Sequence, residues 1–311
     1  MHYRFSGHET FPCRYTWLPK AVLAVNTHAK LLTDDESAMV ELGVGKNMVH
    51  AIRFWVQVTG MAVRNKGGFS VTDFGQALLG PGGFDPYLED VRTLWLIHWK
   101  LSTHVDEPLF AWDYLLNHWH QPEISRTEVL RAFRREAKRL DRTLADITLE
   151  QHFDIFLHSY VSTRGSKKIV QEDTLDCPLV ELDLIQRIGE RRFDSLGKSE
   201  IVYAFRREAK PYITPGLFIY CLADFWVTRY PHEETLSFRD VAFASGSPGQ
   251  VFKMPEWEIR ERLEKLEEES RGVYQYHESS AFQRINHLFP FSLNTLDTVY
   301  LSDQRSEPAH A

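Results

Sequence analysis

Apolar residues recur at helical spacing through most of the chain. From Pro12 onward, Trp17, Leu18, Ala21, Val22 and Val25 repeat with a 3.6-residue period. This predicts a helix over about 12–29, with Pro12 at the first position, where its missing N–H has no partner to lose. DDESAMVELGV then sets carboxylates at a helix start and Met39, Val40 and Leu42 before a stop at Gly43, predicting a short second helix. In KNMVHAIRFWVQVTG, Met48, Val49, Ile52, Trp55 and Val56 share one helical face, and Lys46, His50, Arg53 and Gln57 fall on the opposite one. MAVRNKGGFSVTDFGQALL changes period around Lys-Gly-Gly and reads as strand, turn, strand and short helix. Helices followed by a hairpin in this order predict a winged helix.

Between 85 and 160 the stretches DPYLEDVRTLWLIHWKL, EPLFAWDYLLNHW, SRTEVLRAFRREAKRL and TLEQHFDIFLHSYV each carry a helical apolar stripe. Ser125 stands three positions before Glu128, the spacing of a capping box. Residues 161–200 read as an irregular connection. AFRREAK occurs at 132–138 and again at 204–210, the first copy in a helical pattern and the second inside the strand-like SEIVYAFRR. Beyond it come a helix near 215–229, a helix in LSFRDVAFA, a turn at GSPGQVF, a helix in PEWEIRERLEKLEEES and the strand-like RGVYQYHESSAFQRI. The predicted fold is mainly α, with winged-helix units, a central helical region and short β-hairpins. Its expected divisions are an amino-terminal DNA-binding domain over 1–165, a carboxyl-terminal domain over 166–290 and a tail over 291–311.

Composition alters this picture little: 43% apolar, 25% charged, with eight Trp and twenty Phe, it is that of an ordered globular protein. The amino end lacks a signal-peptide pattern, and the longest apolar run, GLFIYCLADFWV, is too short for a membrane span, so a cytoplasmic protein without membrane contact is expected. Cys13, Cys177 and Cys221 form no CxxC pair and are expected as reduced thiols. Cys177 before a proline reads as a small buried residue, with persulfide chemistry the alternative.

Charge matters through its distribution. The chain carries a net −7, yet within 41–70 Lys46, Arg53, Arg64 and Lys66 face Glu41 alone. The helix at 255–269 has seven Glu against Arg260, Arg262 and Lys265, which suits a protein partner and repels phosphate. In a winged helix the third helix enters the major groove, so Lys46, Asn47, His50, Arg53 and Gln57 are candidate DNA contacts, with Arg64 and Lys66 on the wing. Arg131 and Arg135 extend the cationic track, and the plainer alternative for all of them is a solvated face.

Chemistry is harder to place. His118 and His120 point apart on a helix and make a poor metal pair. Glu172, Asp173, Asp176 and Glu181 near Lys167 and Lys168 have the residue types of a magnesium-dependent nuclease without a nuclease's spacing, so a solvated acidic loop is the stronger reading. No nucleotide-binding loop is present in the sequence. In FSGHETFPCRYTWLPK, His8 is a candidate general acid or base, Glu9 a candidate metal ligand or His-orienting group, and Arg14 a candidate for neutralising phosphate charge. The competing structural reading has Thr10 capping the first helix and Glu9 paired with Arg14.

Taken together, FSGHETFPCRYTWLPK, LGVGKNMVHAIRFW, DPYLEDVRTLWLIHW and QEDTLDCPLVELDLI resemble the SspB family, in the same order from about residue 4 to 290. That resemblance implies a DNA-nicking protein of single-strand phosphorothioation, an anti-phage defence. One strand of double-stranded DNA is opened for sulfur incorporation by partners: a cysteine desulfurase, a PAPS-reductase-like sulfur transferase and an ATPase. It shifts the weighing of His8, Glu9 and Arg14 towards cleavage, with Mg²⁺ or Mn²⁺ as a candidate cofactor. The alternative is a non-catalytic winged-helix adaptor or regulator that recruits the modification proteins.

Overall fold

The structure, a computed structural model, describes residues 2–142, 144–162, 177–192, 199–288 and 296–300. It is mainly α, with three small antiparallel sheets among the described residues. The chain divides into two compact units. One contains the residues up to Leu115 and those of Trp119–Arg206; the other takes in Leu116–His118 and continues from Arg207. The contacts therefore divide at Arg206 and not near 165, and a three-residue piece of the central region is part of the second unit.

The first unit begins with α1 (Trp17–Thr27), which buries Trp17, Leu18, Ala21, Val22 and Val25. The expected start at Pro12 is corrected: turns at 8–10 and 15–16 flank irregular chain over 11–14, and Thr16 precedes the first helical turn. The hydrogen bonds that close this segment are those of separate turns and not of a helix: the Phe11 N–H donates to the His8 carbonyl at 2.8 Å and the Trp17 N–H to the Arg14 carbonyl at 3.0 Å. α2 (Asp35–Leu42) starts at Asp34, whose side chain accepts from the Ser37 N–H, and ends at left-handed Gly43. α3 (Lys46–Val58) buries Val49, Ile52, Trp55 and Val56 of the periodic stripe read from the sequence and leaves Met48 half-buried.

Strands β1 (Ala62–Asn65) and β2 (Gly68–Val71) pair with Arg64 opposite Phe69. The hairpin is fastened to the end of α1: the Phe69 N–H donates to the Ala29 carbonyl at 2.8 Å, and a Cβ on Gly68 would lie 2.3 Å from that oxygen. Gly68 also sits at φ +137°, so no other residue fits there without strain. α4 (Asp73–Leu79) follows, capped by Thr72.

α5 (Val91–Thr103), α7 (Arg126–Arg139) and α8 (Asp146–Tyr160) are the long helices of the central region. α6 (Phe110–Asp113) is a single turn that widens into a π-helical turn over Tyr114–His118, where the sequence stripe predicts a regular helix. Trp55, Trp95, Trp99 and Trp112 are each less than 2% exposed. Truncating any one of them to alanine costs about 3–5 kcal/mol.

The stretch expected to be irregular, 161–200, contains the strand β4 (Ile185–Arg192) and the start of β5 (Ser199–Phe205); with β3 (Ile124–Ser125) they form one sheet in the spatial order β3, β5, β4, with an irregularity between Arg187 and Gly189. After Ile185 every residue of β4 is exposed or half-buried. Without a buried face there is no alternation of apolar and polar residues to read. The two AFRREAK copies separate as expected, the first inside α7 and the second running out of β5.

In the second unit, α9 (Pro215–Arg229) is the central helix, with Trp226 fully buried. Around it are β6 (Thr235–Ser237), α10 (Phe238–Phe243), α11 (Pro248–Val251), α12 (Glu256–Glu264), α13 (Leu266–Glu269), β7 (Tyr274–Glu278), β8 (Gln283–His287) and α14 (Asp297–Tyr300). β8 lies between β6 and β7. Leu116–His118 supplies this unit's interior. The Asn117 Oδ1 accepts from the Gly246 N–H at 2.8 Å, its carbonyl faces Gln250 Nε2 at 3.4 Å, and the Leu116 carbonyl accepts from the buried Lys253 Nζ.

Candidate functional site

The HETF turn is built from strain and one buried ring. Gly7 at φ +114° lies against the Phe54 ring, and Glu9 and Thr10 follow in the left-handed region. Such backbone costs about 1–3 kcal/mol per residue and persists only where the surroundings impose it. Here the surroundings are α3 and α8: His8 meets Phe54 edge-on at 5.7 Å, Trp55 Nε1 donates to the Phe11 carbonyl at 3.0 Å, and His8 stacks on His152.

His8 is only 3% exposed and His152 is fully buried. Their planes differ by 13°, and His152 Nδ1 lies 3.5 Å from His8 Nε2. The Ala111 N–H donates to His152 Nε2 at 3.0 Å, and the Thr10 N–H faces His8 Nδ1 at 3.2 Å. Two neutral rings carry two protons, and only the gap between them is free of a backbone donor. With both outer nitrogens accepting, each ring turns its own N–H into the gap, and a third proton could be taken up only by opening an outer contact. Burial lowers the His8 pKa to about 4, and burial with the His8 charge lowers that of His152 to about 3.

Glu9 is exposed, and Arg14 is half-buried over the rings of Phe11 and Trp17, at 5.8 and 5.4 Å from the centroids. No ion pair joins Glu9 to Arg14, and Thr10 does not cap α1, so the simple helix-start reading of this motif does not hold. Of the three candidates, Glu9 presents a functional group to solvent and His8 supports the turn that carries it. The Cys13 thiol, a few residues on, is pushed up by burial and then by the charge of Cys177, which places these two thiols within electrostatic reach of each other.

The candidate DNA-contacting side chains separate into three groups. On α3, Asn47 is exposed, while Lys46, His50 and Arg53 converge on the Asp35 carboxylate at 3.2, 3.4 and 2.6 Å. Gln57 donates to its own helix at the Arg53 carbonyl. At the hairpin, Arg64 and Lys66 are exposed and make no ion pair among the described residues. On α7, Arg131 and Arg135 are likewise exposed without an ion pair. On the same helix a depression of about 280 Å³ is lined by Arg134, Lys138, Arg142 and Leu144. Asp35 and His152 were not candidates from sequence. Asp35 reads as a helix-start acid, and nothing local links His8 to a residue of α8.

Among the described residues no three His, Cys, Asp or Glu side chains gather to hold a metal ion. Lys167, Lys168, Glu172, Asp173 and Asp176 lie outside the described residues, and Glu181 accepts from the Tyr15 hydroxyl. No described helix is long and apolar enough to cross a membrane.

A family model described as a protein of unknown function, DUF4007, matches residues 5–300, and the chain belongs to that family. Its fold is that of SspB. A magnesium ion-bound crystal structure of SspB is similar at a TM-score of 0.83 and 26% identity, covering 99% of this chain and 90% of that one. A second SspB crystal structure is similar at 0.82 and 26%, covering 99% and 91%. No curated protein sequence matches. The resemblance read from the four sequence segments thus extends over the whole fold.

Proposed function

We propose that this protein acts on DNA within a phosphorothioation system of the Ssp type, opening one strand so that sulfur can enter the backbone. The observation that carries this reading is the likeness to SspB over the full chain. In it, α1 to α3 with the β1–β2 hairpin form a winged helix. α3 approaches the major groove with Lys46 and Asn47 at its leading end, and Arg64 and Lys66 on the wing meet phosphate. Arg131 and Arg135 on α7 extend the phosphate contact. The acidic α12, with Trp257 58% exposed, is left for protein partners, for which the family resemblance implies the sulfur-transfer proteins and the ATPase.

For strand opening, Glu9 is the group this segment offers to solvent, Arg14 a half-buried cation of the same segment, and His8 the buried ring that holds the turn in place. A divalent ion, Mg²⁺ or Mn²⁺, belongs to this proposal through the magnesium bound by the SspB relative. When bound it would supply Lewis-acid charge at the phosphate. The described residues gather no ligand set, so none is assigned to it.

The burial of His8 favours a second reading, a non-catalytic adaptor that binds DNA and recruits the modification proteins. Incubating the protein with supercoiled plasmid in Mg²⁺, in Mn²⁺ and in EDTA decides between the two. Metal-dependent open circle that disappears in Glu9→Gln supports the nickase, because the exposed Glu9 side chain makes no hydrogen bond or ion pair among the described residues whose loss would unfold the turn. Plasmid that is bound yet stays supercoiled supports the adaptor.

A further inference from the structure

Asp35 stands at the first position of α2, and three of the four polar side chains on the outer face of α3 end on its carboxylate. The Arg53 and Lys46 hydrogen bonds hold its pKa down to about 2, so it stays charged. Its two cationic partners differ in how firmly they are held. The Arg53 side chain is 18% exposed, and its Nε and Nη2 are buried with no hydrogen-bond partner, which leaves Asp35 as the acceptor that fixes the guanidinium. Lys46 is 63% exposed on a long flexible stem, with Asp35 its one ion-pair partner among the described residues.

A carboxylate that offers oxygens to a guanidinium and an ammonium satisfies them as a phosphate would. We infer that Asp35 is a built-in surrogate for a DNA phosphate: it occupies the cations of α3 in the free protein and thereby limits backbone affinity. On binding, Lys46 exchanges Asp35 for phosphate while Arg53 stays behind as the anchor. This inference rests on the reading that α3 faces DNA. It implies that contact by this helix depends less on non-specific phosphate attraction and more on what Asn47 meets at the base edges.

The test is fluorescence anisotropy of a labelled duplex against salt, with wild type, Asp35→Asn, Lys46→Met and the double variant. Asp35→Asn is expected to bind at least about threefold more tightly at low salt. It should also lose an extra three- to fourfold between about 50 and 200 mM, the effect of roughly 0.9 added to the log–log slope. Lys46→Met is expected to cost more in the Asp35→Asn background than in wild type. Asp35→Ser, which keeps a hydrogen-bonding oxygen at the helix start, is expected to change binding in the same direction, separating charge from helix integrity. Unchanged slopes, or a Lys46→Met cost equal in both backgrounds, would reduce Asp35 to a structural tie between α2 and α3. Weaker binding by a folded Asp35→Asn overturns the surrogate role equally, because the carboxylate would then be organising the face for DNA. Wild type that binds no duplex at any salt sinks the DNA reading itself, and this inference with it.

Discussion

The His8–His152 pair ties acid sensitivity to a single pair of rings. In the unfolded chain each titrates near 6.5, whereas in the fold burial holds them at about 4 and about 3. As pH falls below about 6.5 the unfolded chain takes up protons that the native pair refuses. The pair's contribution is therefore complete above that pH and drains away down to about 3, by about 1.4 kcal/mol per unit of pKa difference in the limit. Urea unfolding of wild type is expected to show a midpoint that falls steeply between pH 6.5 and 4. A His8→Gln, His152→Gln variant, which retains acceptors for Thr10 and Ala111 but cannot titrate, should flatten that fall. His152→Ala strands the Ala111 N–H and opens a cavity beside Phe5 and Trp112, with an expected loss of about 2–4 kcal/mol at neutral pH. At this scale the sequence identified His8 as unusual but not why. The partner lies on α8, and the meaning of a histidine is set by what its two nitrogens face.

Among the elements, the β1–β2 hairpin joins an anchor and a cationic surface at its turn end, where Phe69 is fastened to Ala29 and Arg64 and Lys66 are exposed. Gly68→Ala would press a methyl group onto the Ala29 carbonyl at a φ alanine avoids, so it is expected to destabilise the amino-terminal unit by several kcal/mol, roughly 2–4. Thermal unfolding measures this directly. Arg64 and Lys66 are exposed and make no ion pair among the described residues, so Arg64→Gln and Lys66→Gln should leave stability within about 0.5 kcal/mol. If the hairpin meets phosphate, each lowers the salt slope of DNA binding by about 0.9; equal slopes in variant and wild type would remove the hairpin from the interface. α3 was legible because one side is buried and its period survives, whereas α2 and the hairpin were legible through their punctuation, the carboxylates and Gly43 that bound α2 and the Lys-Gly-Gly turn. β4 was not, since nearly all of its residues face water and its backbone pairing with β5 defines it.

For the whole molecule, the division into two units does not follow the order of the chain. Three residues from the central region complete the interior of the second unit, where Leu116 and Asn117 serve Lys253, Gly246 and Gln250. A fragment beginning at Arg207 loses all three partnerships. Each buried polar group so stranded costs about 1–3 kcal/mol, which together rivals the stability of an ordinary domain. Circular dichroism and amide exchange on that fragment are expected to show a poorly folded chain, whereas a native-like spectrum would show that the inserted residues are dispensable. The sequence by itself determined which segments become helices and hairpins, because apolar periodicity and turn residues act within a few positions. It also placed the cations on α3, on the hairpin and on α7. Only the tertiary structure decided that His8 faces inward onto His152, that three cations of α3 share one carboxylate, that a charged stretch becomes a strand, and that Leu116–His118 belongs to the second unit. Each of these rests on contacts between residues far apart in the chain, which local patterns do not encode.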